Sequence, residues 1–229
     1  MKTYALIVAA GSSVRFGGIV PKQFRQLCGR PLLAWTISRF EQAASINKIV
    51  VVVSEENLLF TSQSIVDPYG FQKVEKIVIG GESRRESVMK GLKSLPVSTT
   101  HVAIHDGARP LTSPVDIDRT VEMAQRERAA MLAIKSTDSV KRVRDGYILS
   151  TLERDSLYLA QTPQVFQYDL ILEAHTKAPA DAMVTDDSSV VELLGFKVRV
   201  VEPTRPNIKI TVREDLLIAE ALLKQEEHE

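Results

Sequence analysis

Short apolar runs alternate with helical patterns along most of the 229-residue chain, and this alternation restricts the possible folds more than any other feature. The run Lys48–Val53 is almost continuously apolar, which is typical of a strand buried on both faces of a parallel sheet. Further strands are predicted at residues 4–10, 74–79, 101–106, 129–135, 197–201 and 207–211. Helices are predicted at residues 31–44, 55–66, 168–177 and 187–194, and beginning near residues 83, 113 and 213. The pattern indicates an α/β fold with a doubly wound, mostly parallel sheet.

The composition is ordinary for a globular protein and excludes several classes. A hydrophobic content of 44% supports a sizeable core, and a formal net charge of zero argues against a general nucleic-acid-binding protein. The single cysteine, Cys28, excludes an internal disulfide and a multi-cysteine metal site. Every apolar run is shorter than the ~18 residues that span a membrane, and the first continues directly into a charged loop. We therefore expect a cytoplasmic protein without membrane or nucleic-acid partners.

The alternation of strands and helices stops at Ser136, and a hairpin pattern follows. Residues 140–144 alternate in polarity, Asp145-Gly146 is a strong hairpin turn, and residues 147–149 resume extended character. We expect residues 1–229 to form a single domain from which an inserted β-arm, at about residues 136–159, protrudes. Because isolated hairpins are marginally stable in water, the arm is predicted to pack on a second copy and form a homodimer. The alternative is an arm that folds back on its own domain.

The first predicted strand leads into a loop whose composition suits an anionic ligand. Gly11, Ser12 and Ser13 are predicted to form a small turn, and Arg15 and Lys22 are two cations seven residues apart. Exposed backbone amides can bind phosphate oxygens, and the cations neutralise their charge. The bias is local, because residues 1–40 contain no acidic residue and six basic ones: Lys2, Arg15, Lys22, Arg25, Arg30 and Arg39.

Two common phosphate-binding motifs do not fit this loop. A P-loop requires glycine where Phe16 stands, and a dinucleotide fingerprint requires glycine at positions 13 and 16, which are Ser13 and Phe16. The absent dinucleotide fingerprint counts against a nicotinamide-dependent oxidoreductase. The loop is therefore a phosphate-binding candidate of another type.

Several further motifs follow along the chain in a fixed order. They are Ala9-Ala10-Gly11, Pro21-Lys22-Gln23, residues 80–87 (GGESRRES), residues 105–110 (HDGARP), Asp138-Ser139, Arg154, Thr162-Pro163-Gln164, Thr185-Asp186-Asp187 and Asn207-Ile208-Lys209. Together with Arg15, this series resembles the 2-C-methyl-D-erythritol 4-phosphate cytidylyltransferase family, along essentially the whole chain. The resemblance implies a Rossmann-like nucleotidyltransferase fold.

The resemblance also implies a reaction and two substrates. A CMP group passes from CTP to 2-C-methyl-D-erythritol 4-phosphate, giving 4-diphosphocytidyl-2-C-methyl-D-erythritol and pyrophosphate in non-mevalonate isoprenoid precursor biosynthesis. The attacking phosphate is already anionic, so catalysis mainly requires positioning and charge stabilisation, and cations suit that task. A ribitol 5-phosphate cytidylyltransferase is the alternative, although Ala9-Ala10-Gly11 favours methylerythritol. A non-catalytic nucleotide sensor is a further alternative.

The resemblance assigns roles to individual residues. Arg15 and Lys22 are expected to contact the triphosphate and stabilise charge at the α-phosphorus, and Arg154 and Lys209 to hold the acceptor phosphate. The expected nucleotide-binding residues are Ala9, Ala10, Gly11, Ser12, Gly81, Glu82, Arg84, Ser87, Asp106 and Gly107. The expected acceptor-binding residues are Asp106, Arg109, Ser139, Arg154, Thr162, Thr185 and Lys209.

The cofactor expected from the resemblance is Mg²⁺, held mainly by the CTP phosphates. Asp106 is the one protein ligand that we consider for the metal. Three residues have alternative interpretations: His105 is expected to be structural, Asp187 to cap the following helix, and Lys209 could be an edge lysine with a buried stem. Ser13, Phe16, Gly107 and Ser139 depart from the usual family residues.

Overall fold

The structure is a computed structural model that describes residues 1–11, 16, 21–179, 181–182 and 184–226. Its strands are β1 Thr3–Val8, β2 Gln26–Leu27, β3 Arg30–Pro31, β4 Lys48–Val53, β5 Val74–Ile79, β6 His101–Asp106, β7 Ala129–Lys135, β8 Lys141–Arg144, β9 Tyr147–Thr151, β10 Tyr158–Gln167 and β11 Arg199–Val201. Its α-helices are α1 Leu32–Gln42, α2 Leu58–Thr61, α3 Asp67–Tyr69, α4 Arg84–Ser94, α5 Pro114–Glu127, α6 Tyr168–Lys177, α7 Asp187–Leu193 and α8 Arg213–Glu226. Short 3-10 turns occupy Lys22–Phe24, Glu55–Asn57 and Arg154–Ser156, and a π-helical turn occupies Ser62–Val66.

Seven strands form one mixed sheet in the order β11-β7-β10-β6-β1-β4-β5. All neighbouring pairs are parallel except those of β10, which runs antiparallel to both β6 and β7. The predicted doubly wound, mostly parallel sheet is therefore confirmed. In the register of the central strands, Val8 pairs with Val52 on one side and Asp106 on the other. The carboxyl ends of β1, β4 and β6 consequently lie together at one edge of the sheet.

The sheet separates two apolar layers. Along β1, Ala5 and Ile7 face the layer that includes α1 and α5, whereas Tyr4 and Leu6 face the layer that includes α4, α6 and α7. Successive residues of a strand point to opposite faces, so a strand covered on both faces must be apolar at every position. This explains the continuous apolar runs that the sequence shows at β1 and β4.

Two predictions of secondary structure were wrong or incomplete. Residues 207–211, predicted as a strand, form an irregular segment that is held by a hydrogen bond from Ile210 N to Ala108 O of 2.8 Å. The helix predicted at residues 55–66 is a series of short 3-10, α and π turns that ends at Gly70, with φ of 60°. The sequence pattern also missed β10, because Pro163 interrupts it beside a register shift between Ala160 and Gln164.

The predicted hairpin is present as β8 and β9. Asp145 and Gly146 have φ of 50° and 82°, the left-handed conformation that two-residue hairpin turns favour. Every residue of both strands is exposed. No helix within the described residues is long and apolar enough to cross a membrane.

Candidate active site

A cavity of about 550 Å³ opens at the carboxyl edge of β1 and β6, where open α/β sheets bind ligands. Most of the predicted nucleotide-binding residues line it. The predicted site residues in its wall are Ala9, Ala10, Gly11, Lys22, Gly81, Glu82, Arg84, Ser87, Asp106, Gly107 and Lys209. Ser12 and Arg15 lie outside the described residues, so their predicted roles stay predictions.

One wall of the cavity is the segment around Lys22. The buried Gln23 donates from Nε2 to Ala9 O at 3.0 Å, which fastens this segment to the end of β1. Lys22 donates from Nζ to Ile210 O at 2.7 Å and thereby connects the N-terminal segment to the irregular segment that carries Lys209. Lys22 and Lys209, which are far apart in sequence, therefore approach the same cavity.

The opposite wall is the N-terminus of α4. Ser83 caps the helix by accepting from Glu86 N at 3.1 Å, and Glu86 Oε2 accepts from Glu82 N, one residue before the cap, at 2.8 Å. Ser87 Oγ accepts from Gly81 N at 3.0 Å and donates to Ser83 O at 2.9 Å. These bonds leave the Ser87 hydroxyl with one acceptor site for a ligand.

Gly80 marks a close approach between the two walls. A Cβ atom at this position would lie 2.7 Å from both the Ala10 Cβ and the Ser87 Oγ. A larger residue would therefore separate α4 from the end of β1 and change the width of the cavity.

Asp106 lies at the floor of the cavity and is surrounded by cations. Its Oδ1 accepts from Arg84 Nε at 3.1 Å and its Oδ2 from Lys209 Nζ at 2.6 Å, and Arg109 Nε lies 4.0 Å from Oδ2. Burial by itself would raise the pKa of Asp106, but the charges of Arg84 and Lys209 outweigh burial. They hold the pKa of this carboxyl well below its usual range, so Asp106 is ionised.

His105 and Thr162 support Asp106 from behind. His105 Nε2 lies 3.1 Å from Arg109 O, and because a carbonyl only accepts, this nitrogen carries the proton. His105 Nδ1 then accepts from Thr162 Oγ1 at 3.0 Å, and Thr162 Oγ1 accepts from Asp106 N at 3.1 Å. Complete burial lowers the pKa of His105 to about 3, so the ring is neutral, in keeping with the predicted structural role. Thr162 lies behind Asp106, outside the cavity wall, and its hydroxyl proton is committed to His105.

Asn207 is a residue whose importance the sequence did not reveal, although its motif was noted. Its main-chain O accepts from Arg109 Nη1 at 2.7 Å, and its Oδ1 accepts from Thr112 Oγ1 at 2.7 Å. Its Nδ2 donates to Thr162 O at 2.8 Å. The buried Asn207 therefore fixes the segment that leads to Lys209, and Arg109 acts in this network rather than in the cavity wall.

Ser139, Arg154 and Thr185 do not line the cavity within one chain. Ser139 and Arg154 are exposed on the β-arm, where Arg154 donates from Nη1 to Thr137 O at 3.3 Å. Thr185 is exposed and immediately precedes the capped start of α7. The predicted acceptor-binding set is therefore only partly assembled by the described part of a single chain.

The predicted capping role of Asp187 was wrong. Asp186 is the N-cap of α7, because its Oδ1 accepts from Ser189 N at 3.0 Å. Asp187, one residue later, turns inward and pairs with Arg84 and His175. The two adjacent aspartates could not be distinguished from the sequence, since either spacing is compatible with a cap.

The described residues do not form a metal site of their own. No group of three or more His, Cys, Asp or Glu side chains that could hold an ion occurs among them. Both oxygens of Asp106, the one ligand predicted, already accept from Arg84 and Lys209. A metal in this cavity would therefore need another source of ligands.

Comparisons with known proteins find relatives along nearly the whole chain. The model of the family described as 2-C-methyl-D-erythritol 4-phosphate cytidylyltransferase matches residues 3–225. A relative of that name from Alkaliphilus oremlandii is 44% identical over 225 residues, which cover 97% of this chain and 95% of the relative. Another from Geotalea uraniireducens is 41% identical, with coverage of 98% and 97%.

Solved structures show the same similarity. A 4-diphosphocytidyl-2C-methyl-D-erythritol synthase from Anaerococcus prevotii superimposes with a TM-score of 0.86 at 31% identity, covering 97% of this chain and 96% of that one. A 2-C-methyl-D-erythritol 4-phosphate cytidylyltransferase from Thermus thermophilus gives a TM-score of 0.78 at 32% identity, with coverage of 98% and 100%. The chain therefore belongs to the 2-C-methyl-D-erythritol 4-phosphate cytidylyltransferase family and is an enzyme that transfers a cytidylyl group to 2-C-methyl-D-erythritol 4-phosphate.

Proposed function

We propose that the cavity between Lys22 and the N-terminus of α4 binds CTP and that Lys209 holds the acceptor phosphate beside the nucleotide. We further propose that the enzyme works in the cytoplasm. A phosphate oxygen of 2-C-methyl-D-erythritol 4-phosphate forms a bond to the α-phosphorus, the bond to the bridging oxygen breaks, and pyrophosphate leaves with that electron pair. The convergence of Lys22, Arg84 and Lys209 on one cavity is the observation that carries this proposal.

The cytosine base fits the wall formed by Gly81 and Ser87. The remaining acceptor site of the Ser87 hydroxyl suits an exocyclic N–H donor, which cytosine has and uracil lacks. Gly81 lines the cavity and has no side chain, so its backbone can contact the edge of the base directly. This wall would supply the preference for CTP, and Asp106 and Gly107 lie at the floor near the ribose.

The triphosphate fits the wall formed by Ala9, Ala10, Gly11 and Lys22, and the family resemblance adds Ser12 and Arg15. The attacking phosphate oxygen needs no general base, because it is already ionised near neutral pH, and pyrophosphate needs no general acid, because it leaves as a stable anion. Catalysis then depends on bringing two polyanions together and on stabilising charge at the α-phosphorus. Fixed lysine and arginine side chains supply both effects.

The acceptor site is completed by a second copy of the chain, which makes the enzyme a homodimer. Arg154 and Ser139 lie on the exposed arm, away from the cavity of their own chain. The arm also exposes apolar side chains that water disfavours, including Tyr147 at 78%, Ile148 at 64% and Leu149 at 58%. An arm that packs on the partner would cover these side chains and bring Arg154 to the partner's acceptor, beside Lys209 and Thr185.

Mg²⁺ is the proposed cofactor and would enter on the triphosphate rather than on a protein-built site. When bound there it neutralises phosphate charge and orients the leaving pyrophosphate. Each oxygen of Asp106 already accepts a hydrogen bond from a cationic side chain, which is compatible with an ion that takes its ligands from the nucleotide and water.

Pyrophosphate release tests the proposed reaction and its acceptor. With CTP and Mg²⁺ held constant, we expect release with 2-C-methyl-D-erythritol 4-phosphate and much less with ribitol 5-phosphate. A reaction without acceptor is the control for CTP hydrolysis. Release that is independent of the acceptor, or faster with ribitol 5-phosphate, would overturn the assignment.

A further inference from the structure

The side chain of Arg84 connects the cavity to a buried carboxylate that the proposed reaction does not use. Its Nε donates to Asp106 Oδ1 at 3.1 Å on the cavity side, and its Nη2 donates to Asp187 Oδ2 at 2.6 Å on the other side. The Arg84 side chain is 32% exposed, whereas that of Asp187 is 1% exposed. A planar guanidinium that is held by two carboxylates has its orientation fixed, which a single contact would not achieve.

His175 in turn holds Asp187. Its Nε2 donates to Asp187 Oδ1 at 3.3 Å, and both side chains are 1% exposed. Burial by itself would raise the pKa of Asp187, but the charge of Arg84 outweighs it, so the pKa is lowered and the carboxylate is ionised. These contacts join α6 and α7 to α4, the helix whose first residue is Arg84.

We propose that Asp187 and His175 are positioning residues for Arg84, and that through it they set the geometry of Asp106 and of the bound nucleotide. The inference rests on the proposed function, in which Arg84 contacts CTP. Without Asp187, the guanidinium of Arg84 is free to engage both oxygens of Asp106. Arg84 would then compete with Lys209 for Asp106 Oδ2. The loss of Asp187 would therefore disturb the binding of both the nucleotide and the acceptor.

A purely structural role for Asp187 makes a different prediction. If the buried pair only joined α6, α7 and α4, its loss would lower the free energy of unfolding and leave the kinetics of the folded enzyme unchanged. A double-mutant cycle separates the two roles, because a residue that acts through Arg84 has no further effect once Arg84 is removed.

The experiment compares Asp187→Asn, Arg84→Gln and the double variant. Asp169→Asn is the matched control, since Asp169 is an exposed aspartate in the first turn of α6. We expect Asp187→Asn to lower kcat/KM for CTP about tenfold, within the range of coupling in one ion-pair network. The double variant should match Arg84→Gln within about twofold. Losses that multiply, or an Asp187→Asn enzyme as active as the control, would overturn the inference.

His175 provides a second test that applies even if Asp187→Asn does not fold. Only one ring nitrogen of His175 contacts Asp187, so a glutamine can supply the single donor. We expect His175→Gln to stay within about twofold of the wild type and His175→Leu to lose several-fold in kcat/KM for CTP. Equal kinetics in these two variants would contradict a positioning role.

Calorimetric measurement of CTP affinity tests the positioning role independently of the proposed reaction, because it does not require turnover. A wild type that binds CTP but releases no pyrophosphate with any acceptor would refute the proposed function. Weaker CTP binding by Asp187→Asn than by Asp169→Asn would still support the positioning role. Equal CTP affinity in those two variants would count against it.

Discussion

Lys209 has two roles at the site. Its ammonium group pairs with Asp106, and it also lines the cavity, where its positive charge is available to a bound phosphate. Replacing it with methionine keeps the apolar stem but removes the cation. We expect kcat of Lys209→Met to fall about 10²–10³-fold, the usual loss when one group that stabilises transition-state charge is removed. Lys197→Met, an exposed lysine outside the cavity, is the matched control in the pyrophosphate assay. Full activity in Lys209→Met would show that this cation is dispensable.

His105 makes stability depend on pH in a defined window. Burial lowers its pKa from 6.5 to about 3, so between these values the unfolded chain holds a proton that the folded chain lacks. The free energy of unfolding should therefore decrease as the pH falls from 7 to 4. Asp106 contributes only at the acidic end of this window, because its pKa is held below its usual range in the folded chain and an unfolded aspartate begins to bind protons below about pH 5.

Urea unfolding of His105→Gln at several pH values measures this contribution. Glutamine does not titrate, so we expect a shallower loss of unfolding free energy between pH 7 and 4 than in the wild type. For each protein, the free energy of unfolding is compared with its own value at pH 7. This comparison removes the pH-independent loss of stability that the substitution itself causes. Parallel pH profiles would contradict a buried neutral histidine at this position.

The sequence identified individual site residues well where they belong to a motif of the family that it resembles. Lys22, Gly81, Asp106 and Lys209 were expected at the site, and the structure places all four around one cavity. It could not distinguish residues that touch a ligand from those that support them. Thr162 and Asn207 are polar and adjacent to site motifs, but only the fold reveals that they are buried and bonded to each other.

At the scale of elements, α4 is placed by a glycine that lets it approach β1. A Cβ on Gly91 would contact the Leu6 Cδ1, lie 2.8 Å from Leu6 Cδ2 and lie 3.0 Å from Val52 Cγ2, and both residues are fully buried. In Gly91→Ala the gain in helix propensity of about 1 kcal/mol opposes an overpacking cost of about 1–3 kcal/mol.

We expect the overpacking cost to prevail in Gly91→Ala, with a net destabilisation of roughly 1 kcal/mol in urea unfolding. Lys93→Ala, at an exposed position of the same helix, should change stability by less than about 0.5 kcal/mol. A stabilised Gly91→Ala protein would show that α4 does not pack as closely on β1 as the structure indicates.

The elements that the sequence predicted best are those with one dominant signal. The bounds of β4, β5, β6, β7 and α6 were predicted to the residue, because runs rich in apolar residues or a regular helical period define them. Residues 207–211 resembled a strand since Ile208 and Ile210 alternate with polar residues. Their backbone is instead used to hold Lys209 near Asp106, a tertiary requirement that local alternation does not encode.

At the scale of the whole molecule, the separation of Arg154 from the cavity predicts complementation between inactive variants. Lys209→Met impairs the cavity and Arg154→Gln impairs the arm. If each arm serves the partner's cavity, a mixed dimer contains one cavity with both residues intact. Because one of its two cavities is intact, we expect the purified mixed dimer to have roughly half of wild-type activity.

Co-expression of the two variants with different affinity tags measures this complementation. Tandem purification isolates the mixed dimer, and each variant purified alone is the control. A mixed dimer as inactive as either parent would place Arg154 in its own chain's site. A monomeric wild type in light scattering would contradict the arm-mediated dimer altogether.

A crystal structure with bound CTP tests the central claim most directly, namely that fixed cations hold the triphosphate in this cavity. We expect the cytosine against Gly81 and Ser87, and the triphosphate along Gly11 with the Lys22 ammonium within hydrogen-bonding distance of its oxygens. A nucleotide bound elsewhere, or a triphosphate from which Lys22 points away, would contradict the account.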